Sequence, residues 1–297
     1  MSFLKRIFGP KLDGDALAQS PIKAEYAQID LLARFSGGAS LASEKTRPRW
    51  NRVLPRPYDE TIDLFVRQGW LAPAGDGYTV TAEAQPYVEA YRNRLARARE
   101  RVMVQVKEAL AARDAGEALD LRRTYEASHP LGKADWTGPE PQLSRSSLTR
   151  RILYLDHWLL DGLTPETVEW LKLYAAEQHL WEAYWRLPAG EIPDFVQSDL
   201  ATEDLAIEEA VYWKAYQLAL YVDNQETWQR CKGGDHVRRI EVVAAADNLT
   251  CDVCQETHGQ EYLVARVPEL PHRTCTSRVG CRCRYEPVLE SYEDLEG

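Results

Sequence analysis

The sequence contains no run of eighteen or more apolar residues, and no signal peptide is recognisable near its beginning. A helix that crosses a bilayer needs about 20 mainly apolar residues, and a secretory leader needs an apolar core followed by a small-residue cleavage site. Since both features are lacking, we expect a cytoplasmic protein without a membrane span.

An excess of positive charge is also lacking. The chain has 36 Lys and Arg residues against 46 Asp and Glu residues, which gives a net charge of -10 at pH 7. This balance excludes a protein that is positively charged on all sides for binding nucleic acid. The acidic residues are concentrated between residues 176 and 230, so a local basic surface elsewhere remains compatible with the composition.

Cysteine is scarce, and its distribution is uneven. The chain of 297 residues has six cysteines, of which Cys231 lies apart and the other five fall between residues 251 and 283. A CxxC pair points two thiolates at one centre, and alternation along an extended CxC puts both thiols on one face. We predict a closed, structural Zn²⁺ site. Its candidate ligands are Cys251, Cys254, Cys275, Cys281 and Cys283, with His272 as a substitute.

The helical periods and their breaks predict a mainly α protein. It would have an N-terminal winged-helix-like domain, a helical middle and a small α+β zinc-binding module at the C-terminus. The predicted divisions are a flexible basic amphipathic tail over 1–20, the winged-helix-like domain over 21–90, one long helix over 91–127, a linker over 128–147, a helical, Trp-rich, acidic domain over 148–230, the zinc-binding module over 231–290 and an acidic tail over 291–297.

The end of the first predicted domain has a distinctive pattern. A helix ending in Gly69-Trp70-Leu71 precedes an Asp-Gly turn and a short strand over 78–81. This pattern resembles the end of winged-helix domains. DNA is therefore a predicted partner of this region, with a solvated surface loop as the alternative. The basic side would consist of Lys45, Arg47, Arg49, Arg52 and Arg56, with Trp50 among the charges and further arginines from Arg94 to Arg101.

The helical middle contains repeated tryptophans and two histidines in apolar surroundings. At helical spacing such tryptophans predict core positions, and His157 and His179 are expected to be hydrogen-bonded structural residues. The tryptophans are Trp158, Trp170, Trp181 and Trp185.

A motif covering about seventy residues lies near the C-terminus. It consists of a helical Asn, an Asp before CxxC, a Gly after it, and a closing Pro-His, Cys-Arg-Cys and Pro. Its positions are Asn224, Asp247, Cys251, Cys254, Gly259, Pro271, His272, Cys281, Arg282, Cys283 and Pro287. This segment resembles the C-terminal domain of the phage head-morphogenesis (minor head protein) family. In that family the His-Pro usually directly precedes Cys-Arg-Cys, whereas here His272 precedes Cys275. The resemblance implies a protein partner and, for a phage protein, a location in the virion.

Three classes of function agree with these patterns. The favoured one is a non-enzymatic, zinc-stabilised structural or interaction protein, either DNA-associated or of the phage-head-assembly type. The second is a thiol redox or metal-sensing protein that uses Cys251 and Cys254. The third is a zinc-dependent hydrolase, in which Glu256, His258 or His272 would serve an open zinc position. A cluster of cysteines is a poor match to a catalytic zinc site, which usually keeps three protein ligands and a water.

Overall fold

The computed structural model describes residues 27–36, 47–75, 77–128, 145–233 and 237–288. The predicted tails over 1–20 and 291–297, most of the predicted linker, and Lys45 lie outside the described residues, as do the side chains of Arg47 and Arg49. The described part of the chain is mainly helical with two small sheets, which confirms the coarse fold class. None of the described helices is both long and apolar enough to cross a membrane.

The chain divides into two compact units. One contains residues 1–106 and 120–139, and the other contains residues 107–119 and 140–297. The second unit therefore continues across the predicted boundary at residue 231.

The described part of the first unit contains three helices followed by a hairpin. These are α1 (Ala27–Arg34), α2 (Arg47–Val53), α3 (Tyr58–Arg67), β1 (Leu71–Ala74) and β2 (Gly77–Val80), with Leu71 opposite Val80 in the antiparallel pair. The turn into α3 is fixed because the Tyr58 N–H donates to Asn51 Oδ1 at 2.6 Å. Gly69 follows the helix with φ +72°, a conformation that glycine adopts without strain. The core contains large aromatic side chains, among them Trp50, Tyr58, Phe65, Trp70 and Tyr91.

Two helices replace the single long helix predicted over 91–127. They are α4 (Gln85–Ala111) and α5 (Ala115–Ala127), and the break lies at Arg113, whose φ is +63°. Asp114 starts the second helix because its Oδ1 accepts the Glu117 N–H at 2.9 Å. A left-handed residue followed by a capping aspartate ends one helix and begins the next.

The helical part of the second unit consists of α6 (Arg145–Leu153), α7 (Pro165–Trp181), α8 (Asp194–Leu200) and α9 (Ile207–Gly233). Thr164 caps α7 and Pro165 stands at its first position, as the sequence predicts. The core is mainly aliphatic, with Leu171, Val211 and Leu218 fully buried. The four tryptophans expected in the core are only half-buried.

The C-terminal part of this unit is a small antiparallel sheet in the order β4-β3-β5. Its elements are β3 (Arg239–Val243), the short helix α10 (Asp252–Thr257), β4 (Gln260–Leu263) and β5 (Arg284–Val288). Ile240 pairs with Tyr262 on one side and with Pro287 on the other. Ile240, Val242 and Tyr285 share an apolar cluster with Cys231 and with the cysteines of the predicted metal site.

Candidate metal centre

Five thiols from separate segments of the chain converge beside this sheet. Cys251 precedes α10, Cys254 lies within it, Cys275 belongs to the loop after β4, and Cys281 and Cys283 lead into β5. The sulfur atoms form two groups, Cys251 with Cys254 and Cys275, and Cys254 with Cys281 and Cys283, each within 4.8 Å. The predicted cysteines therefore lie together, in an arrangement compatible with a metal site.

The shortest separations between the thiols match the edges of a tetrahedral zinc site. Cys275 Sγ lies 3.5 Å from Cys251 Sγ and 3.7 Å from Cys254 Sγ. Cys254 Sγ lies 3.8 Å from Cys281 Sγ. Zn–S bonds of about 2.3 Å at tetrahedral angles put neighbouring sulfurs about 3.8 Å apart. Sulfur donors also favour soft ions such as Zn²⁺ and Cu⁺ over Mg²⁺ or Ca²⁺.

The thiols differ in burial. Cys254, Cys281 and Cys283 are buried, whereas Cys251 and Cys275 are half-buried. Burial raises the pKa of Cys254, and a hydrogen bond with Cys281 followed by burial raises the pKa of Cys275. At Cys251, burial opposes ionisation, but hydrogen bonds from the Cys254 and Thr276 backbones and from the Cys275 and Cys254 thiols together outweigh it and lower the pKa to about 6. A bound cation would favour the thiolate at every ligand, because coordination removes the thiol proton.

A charged pair joins the two cysteine motifs. Asp247 Oδ1 accepts the Leu249 N–H at 3.0 Å and the Thr250 hydroxyl at 3.2 Å, which fixes the turn before Cys251. The Arg282 guanidinium, between Cys281 and Cys283, donates to Asp247 Oδ2 at 2.7 Å. This hydrogen bond holds the pKa of Asp247 well below its usual range. The CxxC turn and the CxC segment are thus held in register by one aspartate.

Helix α9 holds the CxC segment from its other side. The Asn224 amide donates to the Cys283 carbonyl at 3.0 Å and accepts the Tyr285 N–H at 3.0 Å. Gln217 Nε2 donates to the Val279 carbonyl at 2.6 Å. Trp228 Nε1 donates to the Val264 carbonyl at 3.0 Å. These contacts explain why the sheet and the helices belong to one compact unit.

The sequence reasoning missed Gln217 and Trp228. It included Asn224 only through the family resemblance. The three residues are separated by seven and four positions, so they recur on one face of α9. That spacing of groups able to donate hydrogen bonds was the available signal.

The histidines beside the thiols are engaged in other contacts. His272 Nε2 lies 3.1 Å from the Thr257 hydroxyl, and His272 belongs to neither thiol group. His258 Nδ1 accepts the Ala244 N–H at 3.3 Å. The Glu256 side chain is exposed. In these contacts, neither histidine nor Glu256 is placed as a general base beside an open coordination site of a metal.

Two parts of the nucleic-acid prediction are wrong. Trp50 is 1% exposed and packs in the core of the first unit, with Arg34 5.4 Å from its ring, so it offers no ring to a nucleic acid. Arg94 is 0% exposed and presents no charge to a phosphate. Arg52 and Arg56 are exposed, as predicted for a basic surface.

The exposed side of α3 carries three acidic residues and one basic residue, Arg67, in its last turn. Asp59, Glu60 and Asp63 all point to solvent there, while Thr61, Ile62 and Phe65 face the core. This face would repel phosphate groups.

Comparison with protein-family models, with curated proteins and with solved structures found no match.

Proposed function

We propose that this protein is a non-enzymatic interaction protein whose C-terminal module, residues 237–288, is held together by one structural Zn²⁺ ion. The observation that carries the proposal is the convergence of five thiols, contributed by three short segments, on one side of a three-stranded sheet. So small a sheet buries little apolar surface by itself. A structural zinc ion contributes on the order of 10 kcal/mol in zinc-finger peptides, enough to decide whether such a module folds.

We take the ligand set from the three close sulfur contacts, although Cys281 is grouped with Cys254 and Cys283 and not with Cys251 and Cys275. Close sulfur contacts connect Cys251 to Cys275, Cys275 to Cys254, and Cys254 to Cys281. We assign these four cysteines as the zinc ligands. Cys283 is then a buried thiol beside the ion, and its backbone carbonyl accepts a hydrogen bond from Asn224.

The redox and hydrolase alternatives receive less support. A closed four-thiolate site leaves no position for a catalytic water. The closest half-buried thiols are Cys251 and Cys275, not the CxxC pair on which the redox alternative rests. His258 contacts the Ala244 backbone, and His272 contacts the Thr257 hydroxyl.

The family resemblance supports an assembly role with a protein partner. Two of its motif positions have clear physical tasks, since Asn224 holds the CxC segment and Asp247 binds Arg282. We propose that this module acts as in the phage head-morphogenesis family, by presenting a rigid surface to another protein. A virion location would follow for a phage protein, and a cytoplasmic one for a cellular protein.

For the first unit we propose a winged-helix-like domain that binds protein. Three helices followed by a hairpin agree with that arrangement. In winged-helix and related helix-turn-helix domains, a recognition helix enters the DNA major groove. The acidic exposed face of α3 is unsuited to that role, and we therefore place DNA contact by Arg52 and Arg56 second.

The structural role of the ion is tested by removing it. Chelation of the full chain should release zinc and make residues 237–288 sensitive to protease and to rapid amide exchange, while α1 to α3 keep their protection. Restored zinc should restore protection. Unchanged protection after complete zinc removal, or zinc-dependent hydrolysis of a peptide or ester by the loaded protein, would contradict the proposal.

A further inference from the structure

A concave surface lies along the exposed face of α6 in the second unit. Its residues precede the five thiols by about a hundred positions in the sequence. Its volume is about 310 Å³, and it is lined by Ser147, Arg150, Arg151 and Tyr154. These residues are spaced at i, i+3, i+4 and i+7, so they share one helical face.

The charge along this face is positive and incompletely neutralised. Arg151 Nη1 is paired with Glu226 at 3.3 Å, and Glu226 also contacts Arg230 at 3.5 Å. Arg113, which borders the face, is paired with Glu169. Within the described part of the chain, Arg150 is exposed and makes no ion pair. It is therefore available for an anion from solution.

An aromatic ring stands beside this unpaired charge. Tyr154 is 58% exposed, the most exposed large hydrophobic or aromatic side chain in the described structure. The guanidinium carbons of Arg150 and Arg113 each lie 5.7 Å from the centre of its ring. Two cations next to one exposed ring provide both a surface for stacking and positive charge for an adjoining phosphate.

We propose that this surface binds one nucleotide of a single-stranded nucleic acid. The base would stack on Tyr154 and the phosphate would bind Arg150, with Arg113 and Arg151 adding to the local positive field. A single strand fits better than a duplex because its bases are available for stacking on an aromatic ring. The net charge of -10 is compatible with one local site of this kind, though not with binding over the whole surface.

The probe is a fluorescently labelled oligothymidine, titrated with the zinc-loaded full chain at low salt and followed by anisotropy. We expect salt-sensitive binding that Tyr154→Ala weakens about tenfold, the scale of one lost stacking contact. Tyr154→Phe should bind like the wild type, because the ring is kept. Arg150→Glu should weaken binding at least as much as Tyr154→Ala.

The control variant is Arg186→Glu. Arg186 is also exposed and lies 5.4 Å from the ring of Tyr212, but it is paired with Glu209 at 2.9 Å. This variant changes the net charge as Arg150→Glu does and should reduce binding far less. Absence of binding by the wild type at low salt would overturn the inference. Binding that survives both Tyr154→Ala and Arg150→Glu would overturn it too, since the strand would then bind elsewhere.

Discussion

The hydrogen bonds of Asn224 allow the contribution of α9 to the metal module to be measured. Asn224 is 3% exposed, and its amide satisfies the Cys283 carbonyl and the Tyr285 N–H at 3.0 Å each. Asn224→Ala leaves both backbone groups without this partner. A buried unsatisfied polar group costs about 1–3 kcal/mol, so the free energy of unfolding should fall by about 3 kcal/mol.

The assay is urea unfolding of the zinc-loaded full chain. The control is Gln229→Ala, an exposed residue of the same helix, which should change the free energy of unfolding by less than about 0.5 kcal/mol. Zinc affinity should also fall in Asn224→Ala, because Cys281 and Cys283 lose part of their support. If Asn224→Ala unfolds like the control and keeps wild-type zinc affinity, the helix does not hold the CxC segment as described.

Three further predictions concern single positions. Gly280→Ala should cost more than about 1 kcal/mol of stability in thermal unfolding, because Gly280 has φ +76° and an added Cβ would lie 1.5 Å from Gln217 Nε2. The control is Gly190→Ala, where no atom lies within 4 Å of the added Cβ. Burial raises the pKa of Glu177 to about 7, so its contribution to stability is present below its unfolded pKa of about 4.5 and is lost as the pH rises through 7. Glu177→Gln should therefore reduce this loss, giving a higher unfolding free energy than the wild type at pH 8 but not at pH 4, and equal pH profiles for both proteins would refute the assignment. Cys231→Ser should leave the zinc content unchanged because Cys231 belongs to neither thiol group, and a loss of zinc would show that the site is larger.

The local parts of the C-terminal module were predictable from the sequence. The five predicted cysteines lie together, and CxxC and CxC spacing already fixes which thiols point in a common direction. The contacts from Gln217, Asn224 and Trp228 span 36 to 62 residues of the chain. No local pattern encodes such pairings, because they depend on how α9 packs against the sheet.

Other differences have local causes that outweighed a periodic pattern. The helical spacing of apolar residues continues through residue 113, yet the helix ends there. The left-handed backbone of Arg113 stops one helix, and the Asp114 cap starts the next. Similarly, a run of basic residues around Trp50 suggested a charged surface, whereas the size of the indole places it in the core. Charge patterns indicate the exposed side of a segment without specifying what its apolar members contact.

The most direct test of the central claim combines metal analysis of the purified full chain with X-ray absorption at the zinc edge. One structural zinc ion should be present per chain, bound by four sulfur ligands at about 2.3 Å. Cys254→Ser should abolish the four-sulfur zinc coordination, while Cys283→Ser should preserve it. Substoichiometric zinc that cannot be increased by reconstitution, or a first shell containing nitrogen or oxygen, would contradict the four-thiolate structural site.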